Sequence, residues 1–470
     1  MSLLAIMLLC SAVLRYITAS DGFLHCWDER YHALVAKHLI EHPLRPALYD
    51  NPLLPYSIRN WPANHIWLHK QPLSLWLIAG SIRLFGLTEI AVRIPSLLLS
   101  GFGILLCFGL GRRLFNERVG LITAFLYAVN GLLLDLSSGR IATDHPDVCL
   151  SFFVLAAVYC GVRALSAEGG KAMLAFAAMG ILTGAALLSK WLPGLIVYPV
   201  VAMIAMDKRY GLPKKQLAAG LLVAFVLTLL VFLPWQWYIR HTFPLESAWE
   251  SRYNYLHFFE ALEGQGEPWY YFINRIRIDY GELIYLPLLY FMVRGVRSKD
   301  VTVGGLLCWI GIPLIIFSVA ATKMVGYLFV AAPAFFLLTA AFTDLLLQKS
   351  LLRSLNWLRV LLLVAFFVIP VRYCLERAKL FQHNDTQPQW AKDIKSWQPG
   401  ADPKVVLLGY KASIEAMFYH NCIAYDYLPS NEEIVALQQK GYKIFVAGEW
   451  PDRISMLRNI GAYKGVLPPY

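Results

Sequence analysis

Seven residues in this 470-residue sequence have types and settings that suit chemistry. Four are acids: Asp28 and Glu29 in Trp27-Asp28-Glu29-Arg30-Tyr31-His32, and Asp144 and Asp147 in Thr143-Asp144-His145-Pro146-Asp147. Three are lysines: Lys70 in His69-Lys70-Gln71-Pro72-Leu73, Lys190 in Leu188-Ser189-Lys190-Trp191, and Lys323 in Thr322-Lys323-Met324-Val325-Gly326-Tyr327. Each has an ordinary reading. An acid favours a helix start, and Asp28 precedes the helical pattern Ala33-Leu34-Val35-Ala36. A lysine beside an apolar stretch snorkels. A cap, however, needs one acid, and both places supply two. A carboxylate that takes a proton, together with cations that hold a phosphate, is the equipment for transfer from a phosphate-linked donor.

The elements that position these residues are apolar. The chain is 58% hydrophobic and 16% charged, against roughly a quarter charged in an average soluble domain. A bilayer core needs roughly 20 apolar residues per helix. Such segments are expected at 3–19, 92–110, 119–136, 148–165, 172–189, 192–206, 217–238, 279–294, 303–320, 325–343 and 358–373, about eleven spans. The apolar segment 72–85 is short, and reads either as an interfacial helix or as a further span. Segment 3–19 lacks the charged leader and small-residue cleavage site of a secretory signal, so it is read as the first span.

The net charge of +11 gathers in short loops at 111–120, 207–215, 293–300 and 348–359. That is the pattern that orients membrane proteins, not a nucleic-acid footprint. With eleven spans these loops share the cytoplasmic side. Segments 20–71, 137–147 and 239–278, the turns at Lys190 and Lys323, and the tail then lie outside. Three lysines on a face that should be poor in them suggest an anionic ligand such as phosphate. Trp61, Trp67 and Trp269-Tyr270-Tyr271 are first of all an interfacial aromatic belt. The expected organisation is a transmembrane domain over 1–373 with a large outer loop at 20–71, and a small soluble α/β domain over 374–470. In the tail, 404–408 and 443–446 read as buried strands and 431–439 as a helix entered from Ser430. The eight cysteines show no paired spacing, and Cys374 and Cys422 are the only pair the tail suggests.

In order and placement these segments resemble the C-type (GT-C) membrane glycosyltransferases. The nearer likenesses are the bacterial lipid A aminoarabinose transferases and the protein O-mannosyltransferases. The resemblance runs over about residues 20–345. Besides the sites above it rests on Trp76-Leu77, Phe85-Gly86, Arg93-Ile94-Pro95-Ser96, Gly111-Arg112-Arg113-Leu114-Phe115, Leu150-Ser151-Phe152-Phe153 and Pro268-Trp269-Tyr270-Tyr271. It implies a mainly α, polytopic fold and a polyprenyl-phosphate sugar donor in the membrane. The acceptor would be a hydroxyl or phosphate on a lipid, glycan or protein. The setting would be a bacterial inner membrane, with the active site and tail facing the periplasm.

By matching position the resemblance makes Asp28 the main catalytic carboxylate, supported by Glu29, with Asp147 as second acid. Lys70, Lys190 and Lys323 would hold the donor phosphate, with Arg30 beside them. Tyr31, Asp144 and Tyr327 would contact substrate. Departures are Gln71, where a proline follows the family's lysine, and Tyr31, where the aminoarabinose transferases carry arginine. Zinc or another divalent ion in those relatives points here only to His69, His257 and Glu267, a scattered set. The alternative to transfer is a transporter or flippase for a lipid-linked saccharide. It would call for ionisable residues within several spans.

Overall fold

The computed structural model describes residues 2–348, 351–352, 354–379, 387–399 and 404–448. It is mainly helical and divides into two units. The first holds helix α1 (Ser2–Ala19), Lys70–Ser74, and the chain from Arg93 through the last long apolar helix. The second holds Ser20–His69, Leu75–Val92 and the described residues of the tail. The outer loop and the tail therefore form one body, although more than three hundred residues separate them in sequence.

In the first unit, seven helical stretches among the described residues are long and apolar enough to cross a bilayer. They are α4 (Glu89–Leu114, which enters this unit at Arg93), α7 (Asp144–Leu165), α8 (Gly169–Lys190), α10 (Lys214–Thr242), α14 (Val301–Val319), Val325–Leu347 containing α15 (Ala332–Leu347), and α16 (Asn356–Ala378). Helices α5 (Glu117–Ala128) and α6 (Gly131–Ser137), bent by 52°, make an eighth if taken as one span. This polytopic membrane architecture matches the expected class, but the count of eleven is not reproduced. Helix α1, α3 (Pro72–Phe85) and Leu192–Ile204, which contains α9 (Val197–Ile204), are apolar but shorter. The expected span at 279–294 is broken at Gly281, whose φ of +97° ends α12 (Tyr271–Tyr280) before α13 (Tyr285–Ser298) begins. The remaining helix of this unit is α11 (Pro244–Phe259).

Close packing in this unit depends on small residues, as expected where lipid gives no hydrophobic drive between helices. Gly180 and Gly184 of α8 face α10. A Cβ on Gly184 would stand 2.6 Å from Val231 Cβ. Thr228 Oγ1 meets the Gly180 carbonyl at 2.9 Å. The seam fixes the course of α8 and so places its last residue, Lys190. The basic loops converge at the other end of the unit. Arg209 donates to the Leu114 carbonyl (2.9 Å) and to Thr302 Oγ1 (2.8 Å), and Asn116 donates to Asp344 (2.8 Å).

The second unit packs α2 (Asp28–Leu39) and parts of α3 and α4 with the tail. The tail contributes α17 (Gln389–Ser396), β1 (Val405–Leu408), α18 (Ser413–Tyr419), β2 (Ile423–Ala424), α19 (Asn431–Gln439) and β3 (Lys443–Val446). The strands form a parallel sheet in the order β2-β1-β3, with Val406 paired to Ile423 and to Ile444. Ser430 and Glu433 close a capping box at the start of α19. Loop and tail share one apolar core, in which Leu34, Leu48 and Trp67 meet Trp390, Val406 and Phe418. Lys37 joins them by polar contacts, donating to the carbonyls of Met417, Phe418 and His420 at 2.6–3.1 Å. These are the orphan carbonyls at the end of α18, where a cation is favoured. Cys374 and Cys422 are free thiols, one in each unit.

Candidate active site

The first unit builds a charged cluster where α7 begins and α8 ends. Asp147, in the first turn of α7, is 2% exposed. Its Oδ1 accepts from Lys190 Nζ at 2.6 Å, and its Oδ2 accepts from the Thr143 hydroxyl. Each oxygen accepts one hydrogen bond, so this carboxylate holds the Lys190 cation in place. The Lys190 ammonium also lies 4.5 Å from the centre of the Tyr327 ring, a cation–π contact. The charge of Lys70 bears on Asp147 as well.

Local backbone is unusual around this cluster. Thr143 precedes α7 at φ 67°, and its side chain does not cap the helix. Trp191, directly after Lys190, has φ 59° and ψ −151°. Such conformations are costly for residues with a Cβ and gather at functional sites. Gly326 is required sterically. A Cβ there would press on Asp147 Oδ2 and come within 2.6 Å of the Thr143 hydroxyl.

Of the predicted residues, Lys70, Asp147, Lys190 and Tyr327 are thus brought together. Asp144 is buried beside them in the same turn of α7, where its Oδ1 accepts the His145 backbone N–H. Lys323 is buried with its ammonium on the Ala320 carbonyl at 2.5 Å. Its backbone N–H donates to Gln265, which ties this turn to the segment after α11. Sequence reasoning did not single out the Thr143 hydroxyl or Gly326. The available signals were a threonine four residues before a buried acid and a glycine beside Tyr327.

The remaining candidates lie in the second unit. Asp28 is buried in the first turn of α2, after Trp27 at φ 80°, another strained non-glycine residue. Glu29 is fully buried and accepts the His25 backbone N–H at 2.6 Å, with the His25 ring at 2.7 Å. Arg30 pairs with Glu415 of the tail at 3.2 Å and donates to the Tyr31 hydroxyl at 3.3 Å. Desolvation of this buried group works against its charge, but the Glu415 carboxylate together with Tyr31 and Cys26 offsets it and raises the arginine above its usual value. Tyr31 stacks on Trp67 and meets Trp61 edge-on.

The residues suggested for a metal are divided between the two units. His69 stacks on Trp61 in the second unit (4.4 Å). In the first unit, His257 Nδ1 faces the Tyr253 carbonyl at 2.8 Å, and Glu267 is exposed on a loop. Among the described residues no group of three or more His, Cys, Asp or Glu is placed to hold a metal ion.

Residues 69–238 match the family model for dolichyl-phosphate-mannose-protein mannosyltransferase. That segment contains Lys70, Asp147 and Lys190. Among curated proteins, the undecaprenyl phosphate-alpha-4-amino-4-deoxy-L-arabinose arabinosyl transferase 2 of Pseudomonas fluorescens is 26% identical, over 69% of this chain and 60% of its own. A Sodalis glossinidius transferase of the same name, numbered 1, is 28% identical over 70% of this chain and 57% of its own. The chain therefore spans about 60% of the length of these relatives. ArnT from Cupriavidus metallidurans, solved bound to undecaprenyl phosphate, superposes with a TM-score of 0.67 at 14% identity, covering 93% of this chain and 87% of that one. The fold is that of the C-type membrane glycosyltransferases. A second C-type structure agrees: the archaeal oligosaccharyltransferase AglB from Archaeoglobus fulgidus, in complex with an inhibitory peptide and a dolichol-phosphate. It superposes at 0.60 with 15% identity over 99% of this chain and 64% of its own.

Proposed function

We propose that this protein transfers a sugar from a polyprenyl-phosphate donor to an acceptor hydroxyl or phosphate on a lipid, glycan or protein, at the periplasmic face of a bacterial inner membrane. The observation that carries this reading is the buried Asp147–Lys190 pair, in a fold whose solved members include two bound to lipid phosphates.

A lysine has three N–H donors. Asp147 takes one from Lys190 and fixes the direction of the ammonium, which is assigned to the donor phosphate. Lys70 adds a second cation, and Lys323 is the third lysine that the resemblance assigns to the donor. An acceptor oxygen attacks the anomeric carbon and forms the new C–O bond. The bond from that carbon to the phosphate oxygen breaks, and its electron pair leaves on polyprenyl phosphate. The lysines stabilise the charge that gathers there. The acceptor's proton is assigned to Asp28, with inversion at the anomeric carbon. Both assignments rest on the resemblance. Arg30, held by Glu415, is read as fixing the α2 segment that carries Asp28. None of the relatives above is named as a transporter.

The test is release of polyprenyl phosphate from an undecaprenyl-phosphate sugar by purified protein in lipid nanodiscs. The wild-type chain is expected to release it, and Asp28→Asn to lose at least about 100-fold, the scale of positioned acid–base catalysis. A folded Asp28→Asn protein that turns over at the parental rate removes Asp28 from the mechanism. Absence of release with every lipid-phosphate sugar tried would falsify the transferase reading.

A further inference from the structure

At the basic-loop end of the first unit lies a cavity of 660 Å³. Four of the helices long enough to cross a bilayer end on it. Arg113 stands in the last turn of α4, and Leu165 is the last residue of α7. Gly169 opens α8, and Gln216 lies in the first turn of α10. A cavity where spans end sits at the level of lipid headgroups. Its walls carry three charged side chains, Arg113, Glu168 and Arg209. Arg209 is committed to the protein, through Asp207 at 2.8 Å, the Leu114 carbonyl and Thr302. Arg113 lies 5.5 Å from the centre of the Tyr159 ring, and among the described residues it has no ion pair or side-chain hydrogen bond. Glu168 has none either, and it does not cap α8. Each alone is ordinary, since an arginine at a span end snorkels and an acid at a helix start is favourable. Together they leave one unanswered charge of each sign in one cavity. Lys208, Lys214 and Lys215 of the same loop do not line it.

We infer that this cavity binds the headgroup of an ethanolamine phospholipid, with the phosphate on Arg113 and the ammonium on Glu168. A guanidinium donates two parallel N–H bonds to a phosphate, and a carboxylate accepts from a primary ammonium. A purely anionic headgroup sets its charge against Glu168, and a purely cationic ligand against Arg113. A molecule with both charges joined by a short linker satisfies both. The Gly111-Arg112-Arg113-Leu114-Phe115 segment, which the transfer chemistry does not use, thereby takes a role at the membrane surface. Asp147 and Lys190 stand at the opposite ends of α7 and α8, so this site is separate from the candidate active site.

The experiment titrates phosphatidylethanolamine or phosphatidylglycerol, with identical acyl chains, into the full-length protein in detergent. Retained lipid is counted by native mass spectrometry, and melting temperature is recorded for each variant. The wild-type chain is expected to hold one ethanolamine lipid about 10-fold more tightly than the glycerol lipid, the worth of a hydrogen bond between charged groups. Arg113→Gln is expected to weaken both lipids about 10-fold. Glu168→Gln is expected to weaken the ethanolamine lipid alone, so that the preference between the two disappears. Both side chains are exposed, and unchanged melting temperatures are expected. A folded Arg113→Gln or Glu168→Gln protein that retains the ethanolamine lipid as the parent does overturns the inference. So does a wild-type chain that prefers the glycerol lipid or holds the two equally. Soluble phosphoethanolamine is the control: if it binds as tightly, with the same dependence on Arg113 and Glu168, the ligand is the free zwitterion and the lipid assignment is wrong. None of these outcomes bears on the transferase reading, which is tested by release of polyprenyl phosphate.

Discussion

The two ends of the transmembrane unit treat charge and helix starts in opposite ways. At the end with the basic loops, two of the helices begin with side-chain caps. Asn116 caps α5 by accepting from Val119 N–H, and Asp300 caps α14 by accepting from Val303 N–H. The arginines there are half in solvent, as in the Arg209–Asp207 pair. At the other end, α7 starts without a side-chain cap, after a residue in the left-handed region. Its threonine, well suited to capping, instead gives its hydroxyl to Asp147. Lys190 and Asp147 are buried together. One end directs polar groups to its own backbone, and the other pairs them with one another. The 22 residues of α7 place the two about 33 Å apart, near the thickness of a bilayer core.

This contrast can be broken by substitution. The largest effect is expected from Lys190→Ala, which strands a buried carboxylate. About 3–5 kcal/mol of stability should be lost by denaturation in nanodiscs, and transfer should fall at least about 100-fold. Gly326→Ala comes next, because its methyl group displaces Asp147 and Thr143. A cost of about 1–3 kcal/mol is expected in stability, with transfer reduced by roughly 10–100-fold through misplacement. The smallest effect is expected from Asp300→Ala at the capped end. It should lower stability by about 1 kcal/mol, the worth of a cap, and leave the transfer rate unchanged. If Asp300→Ala slows transfer as much as Gly326→Ala does, the two ends are not functionally distinct.

Much of this was legible beforehand. Apolar runs gave the spans because helix formation in lipid is a local requirement, visible in a window of roughly 20 residues. Lys190 and Asp147 stood out as candidates because each ends or begins such a run. The strands at 405–408 and 443–446 were likewise visible as short apolar runs. What could not be read was pairing at long range. Arg30 was assigned to a phosphate, and its structural partner is Glu415, 385 residues away. Gln71 was noted only as a departure, because the amide that holds it lies on another helix. The span count went astray at Gly281, where one backbone angle ends a helix inside an otherwise apolar run.

The shared core of loop and tail has a consequence for how the chain is made. Trp67 and Leu48 leave the ribosome roughly 300 residues before Trp390 and Val406, with which they pack. At ordinary synthesis rates of about 5–20 residues per second, that interval is roughly 15–60 s. Throughout it the loop has only the part of its core that α2, α3 and the start of α4 supply. Completion of this body therefore waits on synthesis of the last segment. A chain truncated before the tail would leave that partial core open to the proteases of the compartment it enters.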